Sequence, residues 1–111
     1  GAARVVLDLA PGWHVNSNTP TEDFLIPTKL QVDGREPEGI SYPAASSRKL
    51  GFHDSPLQLY EGRIALKFPM PAGNEDKSEA QRLTLSLQAC SDSLCLEPET
   101  AELILPALAR N

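Results

Sequence analysis

Apolar and polar residues alternate with a period of two through most of the patterned stretches of this chain, which predicts strands rather than helices. In "ARVVLDL", Val5, Leu7 and Leu9 alternate with Val6 and Asp8, as in a strand with one buried face. "RIALKF" sets Ile64, Leu66 and Phe68 on one face against Arg63, Ala65 and Lys67 on the other. The clearest run is "RLTLSLQAC", where Leu83, Leu85, Leu87 and Ala89 face one way and Thr84, Ser86 and Gln88 the other. "TAELILP" predicts a closing strand that ends at Pro106. "DFLIPTKLQV" reads as a strand interrupted by Pro27, which predicts an edge position or a bulge there.

Between these runs lie turn-rich stretches: "PGWHVNSNTPTED", "DGREPEG", "YPAASSRKLGFHDSP" and "PAGNEDKSEAQ". The charges of the last one favour a solvated loop over a helical turn. No segment carries a helical period over a convincing length, and no repeat is visible. Short strands separated by turn clusters predict an all-β, immunoglobulin-like β-sandwich. The antibody signature is missing, because the two cysteines lie close in sequence instead of on facing sheets.

Composition narrows this picture. With 111 residues the chain is expected to be a single domain, 1–111, large enough for one core. Ten prolines favour loops and bounded strands over long helices. A net charge of −5 argues against a nucleic-acid surface, which needs clustered Lys and Arg. No apolar run approaches the roughly 20 residues that span a bilayer, and no signal peptide precedes Ala2. The chain is therefore expected to be a soluble domain excised from a longer protein whose leader or membrane portion lies outside it. Two cysteines fit one disulfide in an exported chain, or two thiols in a cytosolic one, so the compartment stays open.

The candidate chemistry lies in "QACSDSLCLEPET", which holds Cys90 and Cys95. As a structural staple the pair achieves little: closing so short a loop is worth roughly 2 kcal/mol, against about 3 for fifteen residues. Cys90 ends a patterned strand, "SDSL" is a polar connector and Pro98 follows closely, so both sulfurs are expected at a strand-loop-strand tip within reach of a partner. Accessible short-loop disulfides are the ones that exchange with thiols. The nearby Asp92, Glu97 and Glu99 would raise a thiol pKa, so the pair reads as a disulfide attacked by a partner's activated thiol. A zinc clip of His14, His53, Cys90 and Cys95 has suitable donors but no paired ligand spacing. Each histidine is expected instead to be a surface or loop hydrogen-bonding residue. There is no G-x-S-x-G elbow and no carboxylate in an apolar pocket to support hydrolysis. Phe52, in a long loop, either plugs the sandwich end or covers a reactive site as a lid.

These residues resemble the N-terminal periplasmic domain of the thiol:disulfide interchange protein DsbD. The stretch that carries the likeness is "LQACSDSLCLEPET", similar to that family's strand, cysteine, short acidic loop, cysteine and "x-P-E-T" tail. Further support comes from "GWHV", from Tyr42–Pro43 and from "LGFHDSPLQLYEGRIALKFPM", so the likeness spans roughly residues 12 to 105. The chain departs from the family in a shorter intercysteine loop, in Leu96 where an aromatic is common, and in Glu97–Pro98 where two prolines stand.

The resemblance implies an immunoglobulin-like domain on the periplasmic side of the bacterial inner membrane, monomeric, without a cofactor and without nucleic acid, in a membrane-embedded parent. It implies reducing equivalents received from a thioredoxin-like domain and passed to disulfide isomerases or cytochrome c maturation proteins. Cys90 and Cys95 would be the redox pair, with Cys95 forming mixed disulfides. Phe52, with His53 beside it, would be the cap that shields them. The rival reading is a non-catalytic interaction module with a structural disulfide.

Overall fold

The structure is a computed structural model and describes residues 2–22, 24–49, 55–69 and 80–105. Its strands are β1 (Ala2–Asp8), β2 (His14–Asn16), β3 (Lys29–Val32), β4 (Ser46–Arg48), β5 (Leu57–Glu61), β6 (Arg63–Pro69), β7 (Gln81–Leu87), β8 (Ala89–Cys90) and β9 (Glu99–Leu105). They form three antiparallel sheets, β1-β6, β4-β5-β2-β8 and β3-β7-β9, and no helix occurs among the described residues. This is the all-β, immunoglobulin-like sandwich that the alternation predicts.

Three of the predicted faces form the core. Ile64, Leu66 and Phe68 of β6 and Leu83, Leu85 and Leu87 of β7 are buried together with Val15, Leu30 and Tyr60, and Ala3, Val5 and Leu7 of β1 pack against them. Burying a Leu or Phe side chain in such a cluster stabilises the fold by about 1.5–3 kcal/mol. The closing strand follows the prediction, with β9 paired to β7 from Gln81↔Leu105 to Leu87↔Glu99. In the described part of "DFLIPTKLQV" the strand is β3 alone, which starts at Lys29, beyond Pro27, and lies at the edge of its sheet. A proline cannot donate to a ladder, which is why the strand starts after it.

Two arms of the chain, 2–16 and 57–69, run antiparallel but lose register midway. Asp8 faces Arg63, yet His14 faces Glu61, so residues 9–13 on one arm are opposed by Gly62 alone on the other. The extra residues form a turn closed by Trp13 N–H donating to the Ala10 carbonyl at 3.0 Å, while Leu9 N–H donates to the Gly62 carbonyl at 2.9 Å. Gly62 takes φ 70°, a left-handed conformation open to glycine and strained for other residues. The resulting bend sends β1 and β6 into one sheet and β2 and β5 into another.

The segment after β2 is strapped back by polar groups. Thr28 Oγ1 donates to the Asn16 carbonyl at 2.7 Å, and Asn16 Nδ2 donates to the Ile26 carbonyl at 2.9 Å. Tyr60 Oη donates to Asn18 Oδ1 at 2.6 Å. Asn16, Ser17 and Thr28 are buried, and these bonds satisfy groups that would otherwise be costly to enclose. The strap lays Leu25 against Leu57 and Leu59, a second apolar cluster on the outer face of β5.

A Cβ at Gly62 meets nothing within 4 Å, so Gly62→Ala tests the backbone alone. The substitution is expected to cost about 1–2 kcal/mol, measured as a lower denaturant midpoint with an unchanged m-value.

Candidate functional site

The run "RLTLSLQAC" does not stay in one sheet. Leu87 is the last residue of β7 and pairs with Glu99, whereas Ala89 pairs with Val15 and Cys90 with His14 on β2. Gln88 is the crossing point, and its Nε2 donates to the Leu96 carbonyl at 3.0 Å. Alternation persists through the crossing, since Ala89 still packs against the core while Cys90 points to the outer face.

Beyond Cys90 the chain folds into a tight hairpin. Ser91 N–H donates to the Leu94 carbonyl at 2.8 Å, and Leu96 N–H donates to the Ala89 carbonyl at 2.8 Å. Ser91 Oγ accepts from the Ser93 and Leu94 amides at 3.2 and 3.3 Å, so the "SDSL" turn is built by its own serine. Cys90 and Cys95 face one another between the two backbone bonds, with Cα atoms 4.0 Å apart, and form a disulfide. Such a non-hydrogen-bonded pair is where opposite strands approach most closely.

The sequence places both sulfurs at a tip within reach of a partner, and the structure separates them in exposure. Cys90 is 5% exposed, because β2 lies on one side of it and the returning arm on the other. Cys95 is exposed, and its neighbours Leu94 and Leu96 add an exposed apolar collar. Asp92, Glu97 and Glu99 are exposed too, which places an acidic fringe around the tip.

His14 overturns its assignment as a surface or loop residue. It lies on β2, 3% exposed, with Glu61 opposite on one side and Cys90 on the other. Neither ring nitrogen has a hydrogen-bond partner, and Asp92 Oδ1 stands 3.9 Å from Nε2, too far for a bond. The carboxylate of Glu61 is engaged elsewhere, both oxygens accepting from Arg48 Nη1 at 2.9 and 2.8 Å. An unpaired buried polar group of this kind costs about 1–3 kcal/mol. Burial pushes the imidazole pKa below its ordinary 6.5, against the opposing pull of Glu61 and Asp92, with Arg48 acting in the same direction as burial. Sequence reasoning missed this residue because only the strand register brings residue 14 beside residue 90.

Phe52 and His53 lie outside the described residues, and so does most of "PAGNEDKSEAQ". Among the described residues no group of three or more His, Cys, Asp or Glu is arranged to hold a metal ion.

A β-sandwich bearing one short-loop disulfide at an exposed hairpin defines a class of domain equipped for thiol–disulfide exchange. The family model for the N-terminal region of the thiol:disulfide interchange protein DsbD matches residues 1–107, and the chain belongs to that family. No curated protein sequence matches the chain. Membership makes this a thiol–disulfide exchange domain carrying the Cys90–Cys95 disulfide, of a family that is generally periplasmic and works with thioredoxin-like proteins.

The unfolded chain binds a proton at His14 near pH 6.5, which the folded chain resists. The stability that depends on neutral His14 is therefore complete above that pH and is lost as pH falls toward the lower, folded midpoint. In the oxidised protein the ring-proton resonances of His14 should titrate below 6.5. The loss of stability as pH falls below 6.5 should shrink in His14→Phe. An equal loss in both proteins would assign it to other groups.

Proposed function

We propose that this domain is a periplasmic electron relay, taking reducing equivalents from a thioredoxin-like domain and passing them to oxidised periplasmic proteins. The observation that carries the reading is the asymmetry of the disulfide, one sulfur exposed at the hairpin and one buried beside β2. A partner can reach Cys95 and not Cys90, which supports Cys95 as the cysteine of the mixed disulfide. The proposed donor domain belongs to a membrane-embedded parent, and the proposed acceptors are disulfide isomerases and thioredoxin-like proteins of cytochrome c maturation.

In the charging step a partner thiolate attacks Cys95 Sγ. The new S–S bond forms as the Cys90–Cys95 bond breaks, and its electron pair leaves on Cys90 as thiolate. The partner's second thiol loses its proton and attacks the partner sulfur of the mixed disulfide, expelling Cys95 as thiolate. The partner ends as a disulfide and the domain as a dithiol once both thiolates are protonated. In the delivery step Cys95 thiolate attacks the disulfide of the next protein. Cys90 thiolate then attacks Cys95 Sγ, which restores the Cys90–Cys95 bond and releases the partner reduced. The acidic fringe of Asp92, Glu97 and Glu99 offers no positive charge to activate either thiol, so docking of the partner supplies the reactivity.

By its place in the family pattern, Phe52 is proposed as the cap of the pair, with His53 beside it. The rival reading, an interaction module whose disulfide only rigidifies a loop, is weakened by the hairpin's own backbone bonds, which already fix its geometry.

Cys90→Ser, reduced and mixed with oxidised thioredoxin-like proteins, should accumulate a mixed disulfide through Cys95, identified by mass after proteolysis. Failure to trap one with any such protein would sink the relay. A reduction potential well below about −300 mV would favour the structural bond instead. In the reduced domain, Phe52→Ala should raise the rate of alkylation by a small reagent several-fold, and an unchanged rate would remove Phe52 from the cap role.

A further inference from the structure

The exchange steps above leave one buried group without a role. His14 sits directly across the ladder from Cys90, and residues opposite one another in an antiparallel pair share a face with Cβ atoms about 4.5–5.5 Å apart. A neutral imidazole always carries one N–H, and in the oxidised domain neither ring nitrogen of His14 has a partner. A buried donor left unpaired calls for an explanation.

The relay reading supplies one, and the inference rests on it. We propose that His14 is a hydrogen-bond donor aimed at the Cys90 thiolate, an anion that exists only after the disulfide opens. A disulfide sulfur is a poor acceptor. When a thiolate attacks Cys95, the electron pair of the broken bond comes to rest on Cys90 Sγ, on a buried cysteine paired across the ladder with His14. The N–H of His14 then donates to that sulfur and keeps its proton, so no further reactant is needed.

The charges around this pair make such a donor necessary. Glu61 faces His14 from β5 and Asp92 approaches it from the hairpin turn, and both repel a thiolate. Arg48 on β4 is committed to Glu61. Among the described residues, His14 is thus the donor whose hydrogen bond is unspent and whose strand position adjoins Cys90. Its low imidazole pKa, set by burial, keeps it neutral near pH 7 and able to act as a dipole rather than as a competing proton source. A dipole fixed in place before the charge develops stabilises that charge without reorganisation. Lowering the Cys90 thiol pKa makes it a better leaving group and favours the reduced domain.

The test is equilibration of the wild type, His14→Phe and His14→Gln with glutathione or dithiothreitol redox buffers. Alongside it, the pH dependence of Cys90 alkylation is measured in the same three backgrounds carrying Cys95→Ala. At a pH above the Cys90 thiol pKa, where the reduced domain holds the thiolate, His14→Phe should lower the equilibrium constant for reduction about tenfold, a potential about 30 mV more negative, and it should raise the Cys90 thiol pKa. His14→Gln, which retains an N–H, should recover most of both. Equal constants and pKa values in wild type and His14→Phe would overturn the proposal, as would a Gln variant indistinguishable from Phe. If the variants do not fold, the wild type decides: reduction should move the His14 N–H resonance downfield, and identical ring resonances in both states overturn it. These buffers read the cysteine pair without a protein partner. A failed mixed-disulfide trap would therefore count against the relay alone, and a flat response to His14 against this proposal alone.

Discussion

At Gln88 one extended run of chain passes from the sheet of β3, β7 and β9 to the sheet of β4, β5, β2 and β8. Leu87 is still held by Glu99, and two residues later Ala89 is held by Val15. Every property of the cysteine hairpin depends on that crossing. It gives the hairpin a root in both layers of the sandwich, and it lays Cys90 against β2 instead of leaving it at the free end of β7. The crossing keeps the alternation intact, so Ala89 completes the core as Cys90 turns outward beside His14.

The electrostatics of the site follow from this placement. A sulfur packed between β2 and the returning arm loses solvent, and any charge it carries as a thiolate becomes expensive. The other sulfur, five residues on, keeps its access to water and to partners. Two chemically identical side chains thereby differ sharply in exposure. The bonds of Asn16 to Ile26 and of Thr28 to Asn16 assist by tying down the end of the strand that His14 occupies.

Strands with one face in the core were legible in the sequence. β1, β6 and β7 alternate over seven residues each, and the period alone locates them, whereas β9 leaves residues 99–104 exposed and is read as a closing strand from its apolar run before Pro106. β2 and β4 were hidden for opposite reasons. All three residues of β2 are buried, so His-Val-Asn shows no alternation, and all three of β4 are exposed, so Ser-Ser-Arg shows no apolar face. β5 buries Tyr60 as well as Leu57 and Leu59, one on the core and the others under the strap, which blurs its period. Composition and spacing leave two free thiols or a metal clip open, and the reading of Cys90 and Cys95 as an exchangeable pair comes from their strand-loop-strand setting and the family resemblance. The difference between the two sulfurs could not be read, because it arises from a ladder between residues 14 and 90, a long-range pairing that no local pattern encodes.

The hairpin closes with main-chain bonds on both sides of the disulfide, Ser91 to Leu94 at the turn and Leu96 to Ala89 at the base. None of them involves a sulfur atom, so breaking the cross-link removes none of them. The main-chain bonds that shape the tip do not depend on the cross-link, so contour offers a visiting protein little by which to tell the two oxidation states apart. Discrimination then falls to chemistry at the moment of contact: a partner bearing a thiolate proceeds only against a disulfide, and a partner bearing a disulfide only against a thiolate. In the relay proposed above, donors and acceptors would use the same small surface, with futile encounters ended by dissociation rather than prevented by shape.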